Sequence, residues 1–256
     1  MSDKARIHAR LNAGNAFEYF DVTSQEVANI VTPLQFSDDF IGGGHTAGIP
    51  VAGSPVAGYP WVKKIVGAAP PTVALVGNAA GGVIACTLAA TSEKEDAALY
   101  WNDNLSIDAT KGPVWQARVQ LGVLPSVAGV LATFGLHSAW IDGPNSAAEY
   151  MHFQANGNGQ ILMASFDGIT TYGPFNTGIT VGTVDWHQYR IDASVPTDVK
   201  FFIDGAMVST TGQLQFNATG ANAILQPYVS MYKASGTGVG TLNMDAIDVW
   251  NFRGGD

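Results

Sequence analysis

The sequence is short of cysteine, of charge and of long apolar runs, and each shortage removes a class of function. A single cysteine in 256 residues, Cys86, forbids an intrachain disulfide and a thiolate zinc site. Its setting, Val83-Ile-Ala-Cys86-Thr-Leu88, is that of a buried structural thiol rather than of a nucleophile. No stretch approaches the ~20 apolar residues of a membrane-spanning helix. The N-terminus, Met-Ser-Asp-Lys-Ala-Arg, lacks the apolar core of a secretory signal. The expected product is therefore made and kept in a cytoplasm, or leaves it by assembly or lysis. Charged residues are 13% of the chain, below the ~25% usual in soluble domains, and their balance is acidic, net −9. With no run of Lys and Arg, neither nucleic acid nor an anionic membrane is an expected partner.

Catalytic motifs are missing as well. Gly42 to Gly44 lack the Gly-Lys-Ser/Thr ending of a phosphate loop and read as a surface loop. No Gly-x-Ser-x-Gly elbow occurs, and His8, His45, His137, His152 and His187 show no metal-binding spacing. Glu93-Lys-Glu95-Asp96 is the nearest approach to paired acids, but its neighbours Thr91, Ser92 and Lys94 read as a solvated turn. Glu149 stands alone before a strand. Asp142-Gly-Pro-Asn145 and Asn102-Asp103-Asn104 offer oxygen ligands, yet each run supplies fewer than the roughly six that calcium takes. The expectation is a protein that is not an enzyme, with no catalytic residue, no cofactor and no metal.

What the chain does have is alternation. In Trp186-His-Gln-Tyr189-Arg-Ile191-Asp, Tyr189 and Ile191 share one face; in Val199-Lys-Phe201-Phe-Ile203-Asp-Gly205, Val199, Phe201 and Ile203 form the matching apolar row. Ser194–Asp198 reads as their connection, and Asp204-Gly205 as a tight reversal into Ala206-Met-Val208, which makes a three-stranded meander. Similar short runs recur: Thr72–Val76, Gly82–Leu88, Ala97–Tyr100, Leu105–Asp108, Val114–Gly122, Val130–Leu136, Glu149–Phe153, Gln160–Gly168, Gly178–Val181, Leu214–Phe216, Ala223–Tyr232 and Gly240–Phe252. Thirty glycines and twelve prolines punctuate them without a fixed period, which predicts an all-β sandwich and excludes a propeller or solenoid. Residues 1–35, with Lys4, Arg6, Arg10, a possible strand at Phe17–Val22 and a helix or strand at Ser24–Val31, read as an N-terminal arm for docking or oligomer contacts. Residues 36–256 form the sandwich domain.

The opening Phe36-Ser-Asp-Asp-Phe40, the strand Trp115-Gln-Ala-Arg118-Val119, the meander and the closing Met244-Asp-Ala-Ile247-Asp-Val-Trp250 together resemble the concanavalin A-like lectin and glucanase jelly roll over about residues 36–252. The resemblance implies two antiparallel sheets, one concave, with the first and last strands adjacent, so that Phe40 and Val249 or Trp250 close one edge. It also implies, for a hydrolase, a Glu-x-Asp-x-x-Glu strand, and this chain has none. The superfamily includes lectins, laminin-G-type modules and structural domains of tailed-phage virions, so the fold alone does not choose a function.

Among six tryptophans, Trp115, Trp186 and Trp250 lie in alternating apolar strands and are expected in the core, while Trp61, Trp101 and Trp140 lie near turns. Trp140 with Asp142 and Asn145 is the candidate saccharide platform, with a loop-pinning role for Trp140 as the competing reading. The missing signal, acidic Gly/Ala/Thr-rich surface, basic arm and absent catalytic set point to a structural protein of a tailed-phage virion. In this reading it decorates the capsid, with capsid protein, copies of itself and host-surface glycans as partners. The alternatives are a lectin-like carbohydrate-binding module and a divergent glycoside hydrolase.

Overall fold

Period-two alternation organises nearly the whole chain, so almost every regular element is a strand. The computed structural model describes residues 5–10, 17–22, 34–41 and 48–251. In chain order the strands are β1 (Ala5–Arg10), β2 (Phe17–Val22), β3 (Leu34–Asp38), β4 (Val62–Val66), β5 (Thr72–Leu75) and β6 (Ile84–Thr87). Next come β7 (Glu95–Tyr100), β8 (Ile107–Asp108), β9 (Val114–Val123), β10 (Val130–His137), β11 (Tyr150–Ala155) and β12 (Gln160–Phe166). The last are β13 (Thr171–Thr180), β14 (His187–Asp192), β15 (Lys200–Ile203), β16 (Ala206–Met207), β17 (Ile224–Lys233) and β18 (Thr241–Asn251). Strands β1 and β2 pair with each other. The rest form two antiparallel sheets: β13-β12-β11-β10-β17-β7-β4 with β8 on β17, and β16-β15-β14-β9-β18-β6-β5 with β3 on β18. Among the described residues no helix is long and apolar enough to cross a membrane.

The meander forms as the alternation predicts. Tyr189, Ile191, Phe201 and Ile203 are 4% exposed or less, Tyr189 pairs with Ile203 and Ile191 with Phe201, and Asp204 (φ 51°) and Gly205 (φ 79°) make the reversal. Both inner faces meet in one core, where Phe134 stacks on Phe153 and meets Tyr189 edge-on, and Phe153 meets Phe201 in the same way. Burying such rings contributes about 1.5–3 kcal/mol each before their ordering cost. In β18, Met244 and Ile247 both point inward although three positions apart, because a bulge interrupts the register between Met244 and Ala246.

Strand β3 pairs with β18, Phe36 opposite Val249, and has no other strand partner among the described residues, so it edges the sheet beside the Ile247–Asn251 half of β18, while the other half of β18 pairs with β6 inside the sheet. Several expectations need correction. Gly178–Val181 is only the tail of a longer strand, β13, that starts at Thr171, and Leu214–Phe216 is buried without forming a strand. The tryptophans exchange places. Trp61 and Trp101 are 0% and 8% exposed, packed edge-on with each other and with Phe36, whereas Trp186 and Trp250 are half-buried on the outer side of the second sheet. Glu95 and Asp96, expected in a solvated turn, open β7 and are both fully buried. Glu95 faces Lys233 across the β7–β17 ladder at 3.4 Å, and the ammonium also donates to the carbonyls of Ala89 and Thr91. The burial of Glu95 and Lys233 is tolerated because each is the other's partner. The readings for Gly42 to Gly44, for His45, for Ser24–Val31 and for most of the arm fall outside the described residues.

Candidate functional site

The outward side chains of the first sheet form a polar face instead of a solvated one. Register places Tyr150, His137 and Gln226 in one row across β11, β10 and β17; His152, Gly135, Tyr228 and Tyr100 in the next; and Gln154, Thr133, Ser230 and Ala98 in the third. Gly135 is what lets the second row close up. A Cβ there would sit 2.8 Å from His152 Cα and closer still to the Met151 carbonyl, so no side chain fits between the rings on either side. The rings fill the gap: His137 stacks on Tyr228 with centroids 4.2 Å apart, Tyr150 stacks on His152 at 4.2 Å, and His137 Nε2 lies 2.8 Å from His152 Nδ1.

Residues 138–149, which connect β10 to β11, lie across this face. At one end Glu149 N–H donates to Ser138 Oγ and Ser138 N–H to the Glu149 carbonyl, which clasps the two stems. Trp140 reaches over β17 to β7: its backbone N–H donates to Asp103 Oδ1 (2.6 Å), its indole N–H to Asp96 Oδ2 (3.1 Å), and Lys64 Nζ sits 4.6 Å from its ring centroid. The ring packs against the small cluster of Val62, Ala98, Tyr100 and Tyr228. Asp142 pairs with Lys94, and Gln154 Nε2 donates to Asn145 Oδ1. The three residues of the expected saccharide platform are thus on one loop, and each is engaged by the protein itself. Trp140 pins that loop. The second oxygen-rich run is engaged in the same way, Asn102 accepting from Gly53 N–H and Asp103 from Trp140 and Gln226.

Beneath the loop, buried polar atoms gather with few partners: Asp96 Oδ1, Thr133 Oγ1 and His152 Nε2 have no hydrogen-bond partner, and Tyr228 OH and Ser230 Oγ meet only each other. They come from four adjacent strands and share one face. An unmet buried polar atom costs about 1–3 kcal/mol, so such a concentration is held for a purpose or satisfied by something bound there. The electrostatics follow from burial. Asp96 is pushed up to about 7 by desolvation, against the indole hydrogen bond. His152 is brought down to about 3 by desolvation, and His137 is lowered by desolvation and by its neighbour. Tyr228 is driven well above the usual tyrosine range by burial. Glu149 is raised by burial, with Ser138 opposing. Around neutral pH this face is therefore rich in neutral donors and acceptors. Among the described residues no three His, Cys, Asp or Glu side chains converge as metal ligands.

Sequence reasoning found the loop and missed the face under it. The available signal was polar alternation inside strands that should be buried: Tyr150-x-His152-x-Gln154 and Gln226-x-Tyr228-x-Ser230-x-Tyr232. In an ordinary two-sheet sandwich such residues face water.

No protein-family model and no curated relative matches the chain. Solved structures do. An endo-1,3-β-glucanase from Streptomyces sioyaensis superposes with a TM-score of 0.56 at 16% identity, covering 87% of this chain and 97% of the other. A protein of unknown function from Shewanella oneidensis MR-1 gives 0.56 at 12% identity over 88% and 90% of the two chains. The carbohydrate recognition domain of Emp47p gives 0.52 at 10% identity over 80% and 94%. At such identities the likeness establishes the fold, a concanavalin A-like β-sandwich.

Proposed function

We propose that the covered face of the first sheet is a saccharide-binding site and that the chain is a carbohydrate-binding sandwich without hydrolase activity. The observation that carries this is the set of under-satisfied buried polar atoms on that face, Asp96 Oδ1, Thr133 Oγ1 and His152 Nε2 without a partner and Tyr228 OH and Ser230 Oγ with only each other. Sugar hydroxyls both donate and accept, and a neutral pyranose meets neutral hydroxyl and imidazole groups there, beside a carboxyl whose burial favours its protonated form. Entry requires residues 138–149 to lift. The Trp140 indole then leaves Asp96, and a flat apolar ring becomes free beside Tyr228 and Tyr100 for stacking. The solved glucanase and carbohydrate recognition domain of the same fold add support as analogy.

Two carboxyl groups with raised affinity for protons, Asp96 and Glu149, invite a hydrolase reading, and their placement speaks against it. Asp96 is on β7 and Glu149 precedes β11, with β17 and β10 between them. Three strand spacings separate their backbones by roughly 14 Å, whereas the carboxyl groups of retaining and inverting glycosidases lie about 5–5.5 Å and 6.5–9.5 Å apart. The virion location, and capsid protein and further copies of the chain as partners, draw no support from these likenesses.

The test is an array of neutral oligosaccharides followed by calorimetry on the best binder. Tyr228→Phe with Ser230→Ala removes two neutral hydrogen bonds and should weaken binding roughly tenfold while leaving the circular dichroism spectrum unchanged. An array without saturable binding, or affinity indifferent to this pair of changes, rejects the assignment. Hydrolysis of the bound sugar that is lost in Glu149→Gln would move the chain to the glycosidases.

A further inference from the structure

The outer face of the second sheet carries a different polar arrangement, and among the described residues no loop crosses the part that matters. Register sets Phe202, Arg190, Gln116 and Asp248 side by side on β15, β14, β9 and β18, with Gln188 opposite Arg118 in the adjoining row. A depression of about 200 Å³ opens there, lined by Gln116, Gln188, Arg190, Phe202 and Gly205. Its walls are set in advance. The Arg190 guanidinium lies 5.4 Å from the Phe202 ring centroid and is held by Asp192 through Nη2, while the Arg118 guanidinium lies 4.7 Å from the Trp186 ring centroid and is held by Asp245. Arg190 Nε is left without a partner.

The ligand chemistry follows from what is offered. Two side-chain amides, each donor and acceptor, and one guanidinium edge suit hydroxyl groups. Asp192, Asp245 and Asp248 stand among Arg118 and Arg190, so the face has no positive excess to attract an anion. The flat of a paired sheet presents no free backbone N–H or C=O to read an extended peptide. The volume lies below the roughly 300–1,000 Å³ of pockets for drug-sized ligands and matches a single small ring.

We infer that this depression is a second saccharide subsite, taking one neutral sugar unit against Arg190, Gln116 and Gln188. Its residues share nothing with the covered face, so the two sites stand or fall separately. Two sites on opposite outer faces let one molecule bridge two glycan chains, gaining avidity without new contacts.

The Arg190 Nε–Hε resonance in a proton–nitrogen correlation spectrum reads the site directly. Titration with neutral gluco-, manno-, galacto- and xylo-oligosaccharides should move it saturably at millimolar sugar for at least one series. The response should persist in Tyr228→Phe/Ser230→Ala and weaken roughly tenfold in Gln116→Ala/Gln188→Ala. Three outcomes overturn the inference: no movement with any series, movement with sulfate or citrate alone, or movement that Gln116→Ala/Gln188→Ala leaves intact. Because the covered-face variant keeps these residues, failure of that assignment leaves the Arg190 response in place.

Discussion

The two sheets send polar side chains outward by the same alternation, yet one outer face is sealed and the other stands open. The difference lies in the connections. β10 and β11 are joined by residues 138–149, long enough to lay Trp140 over β7, whereas β14, β15 and β16 turn through a short segment and the Asp204-Gly205 reversal. Sealing changes chemistry more than it changes sequence. On the covered face a carboxyl rises to about 7 and an imidazole falls to about 3. On the open face Asp192, which burial would raise, is lowered by hydrogen bonds from Ser194 and Arg190. Burial favours the protonated carboxyl of Asp96 on one sheet, and hydrogen bonds favour the ionised carboxylate of Asp192 on the other.

Changes at the covered face should cost most. Gly135→Ala forces a methyl into the His152 backbone and should destabilise by about 3 kcal/mol or more, read as a shift in the denaturant midpoint. The open face has no equivalent. Arg118→Ala, which removes the ring contact and the Asp245 pair, should stay within about 1 kcal/mol, and it marks the small end of the series.

Between these lies the pH dependence, where the covered face works against itself. The histidine pair binds protons less readily folded than unfolded, so as pH falls from 6.5 towards about 3 its contribution to stability is lost. Asp96 has the opposite sign. Its folded affinity for a proton is raised from 3.8 to about 7, so stability is lost as pH rises through that window. Each titration is worth on the order of 1 kcal/mol per pH unit, and the two partly cancel between about pH 4 and 6.5. Asp96→Asn removes one side of the balance. Urea unfolding across this range should then show a steeper loss of stability on acidification than the parent, by about one proton's worth of slope. An unchanged slope would mean that Asp96 titrates normally.

A smaller effect is expected from Trp140→Phe, which keeps an apolar ring over Tyr228 and deletes the indole N–H donated to Asp96. The loss should be about 1–2 kcal/mol, with faster amide exchange confined to residues 138–149. Uniform acceleration of exchange through the core would assign Trp140 a global role instead.

The sandwich was legible because its determinants are local: Tyr189, Ile191, Phe201 and Ile203 announce their face two residues at a time. What failed depended on partners far away. Trp61 and Trp101 sit near turns, and contacts with Phe36 and Phe40, from the β3 region far back in the chain, draw them inside. Asp96 follows Ser92 and Lys94 like a surface acid, and it is buried by a tryptophan 44 positions further along. Trp140, Asp142 and Asn145 could be recognised as a loop with sugar-binding chemistry. Their partners Asp96, Lys94 and Gln154 could not be recognised, because nothing in a linear pattern tells which face a connection will cross.

The pairing of β3 with β18 carries a consequence in time. Leu34 faces Asn251 and Asp38 faces Ile247, so the residues of β3 wait for residues made about 200 positions later. At about 5–20 residues per second on a ribosome, that interval is roughly ten seconds or more. Throughout it, Phe36 has no strand to lie on and the Trp61–Trp101 cluster lacks one wall. The second sheet should therefore be completed only once β18 has been made, in one late long-range step, and a chain stopped before Thr241 should leave an aromatic surface for chaperones to hold.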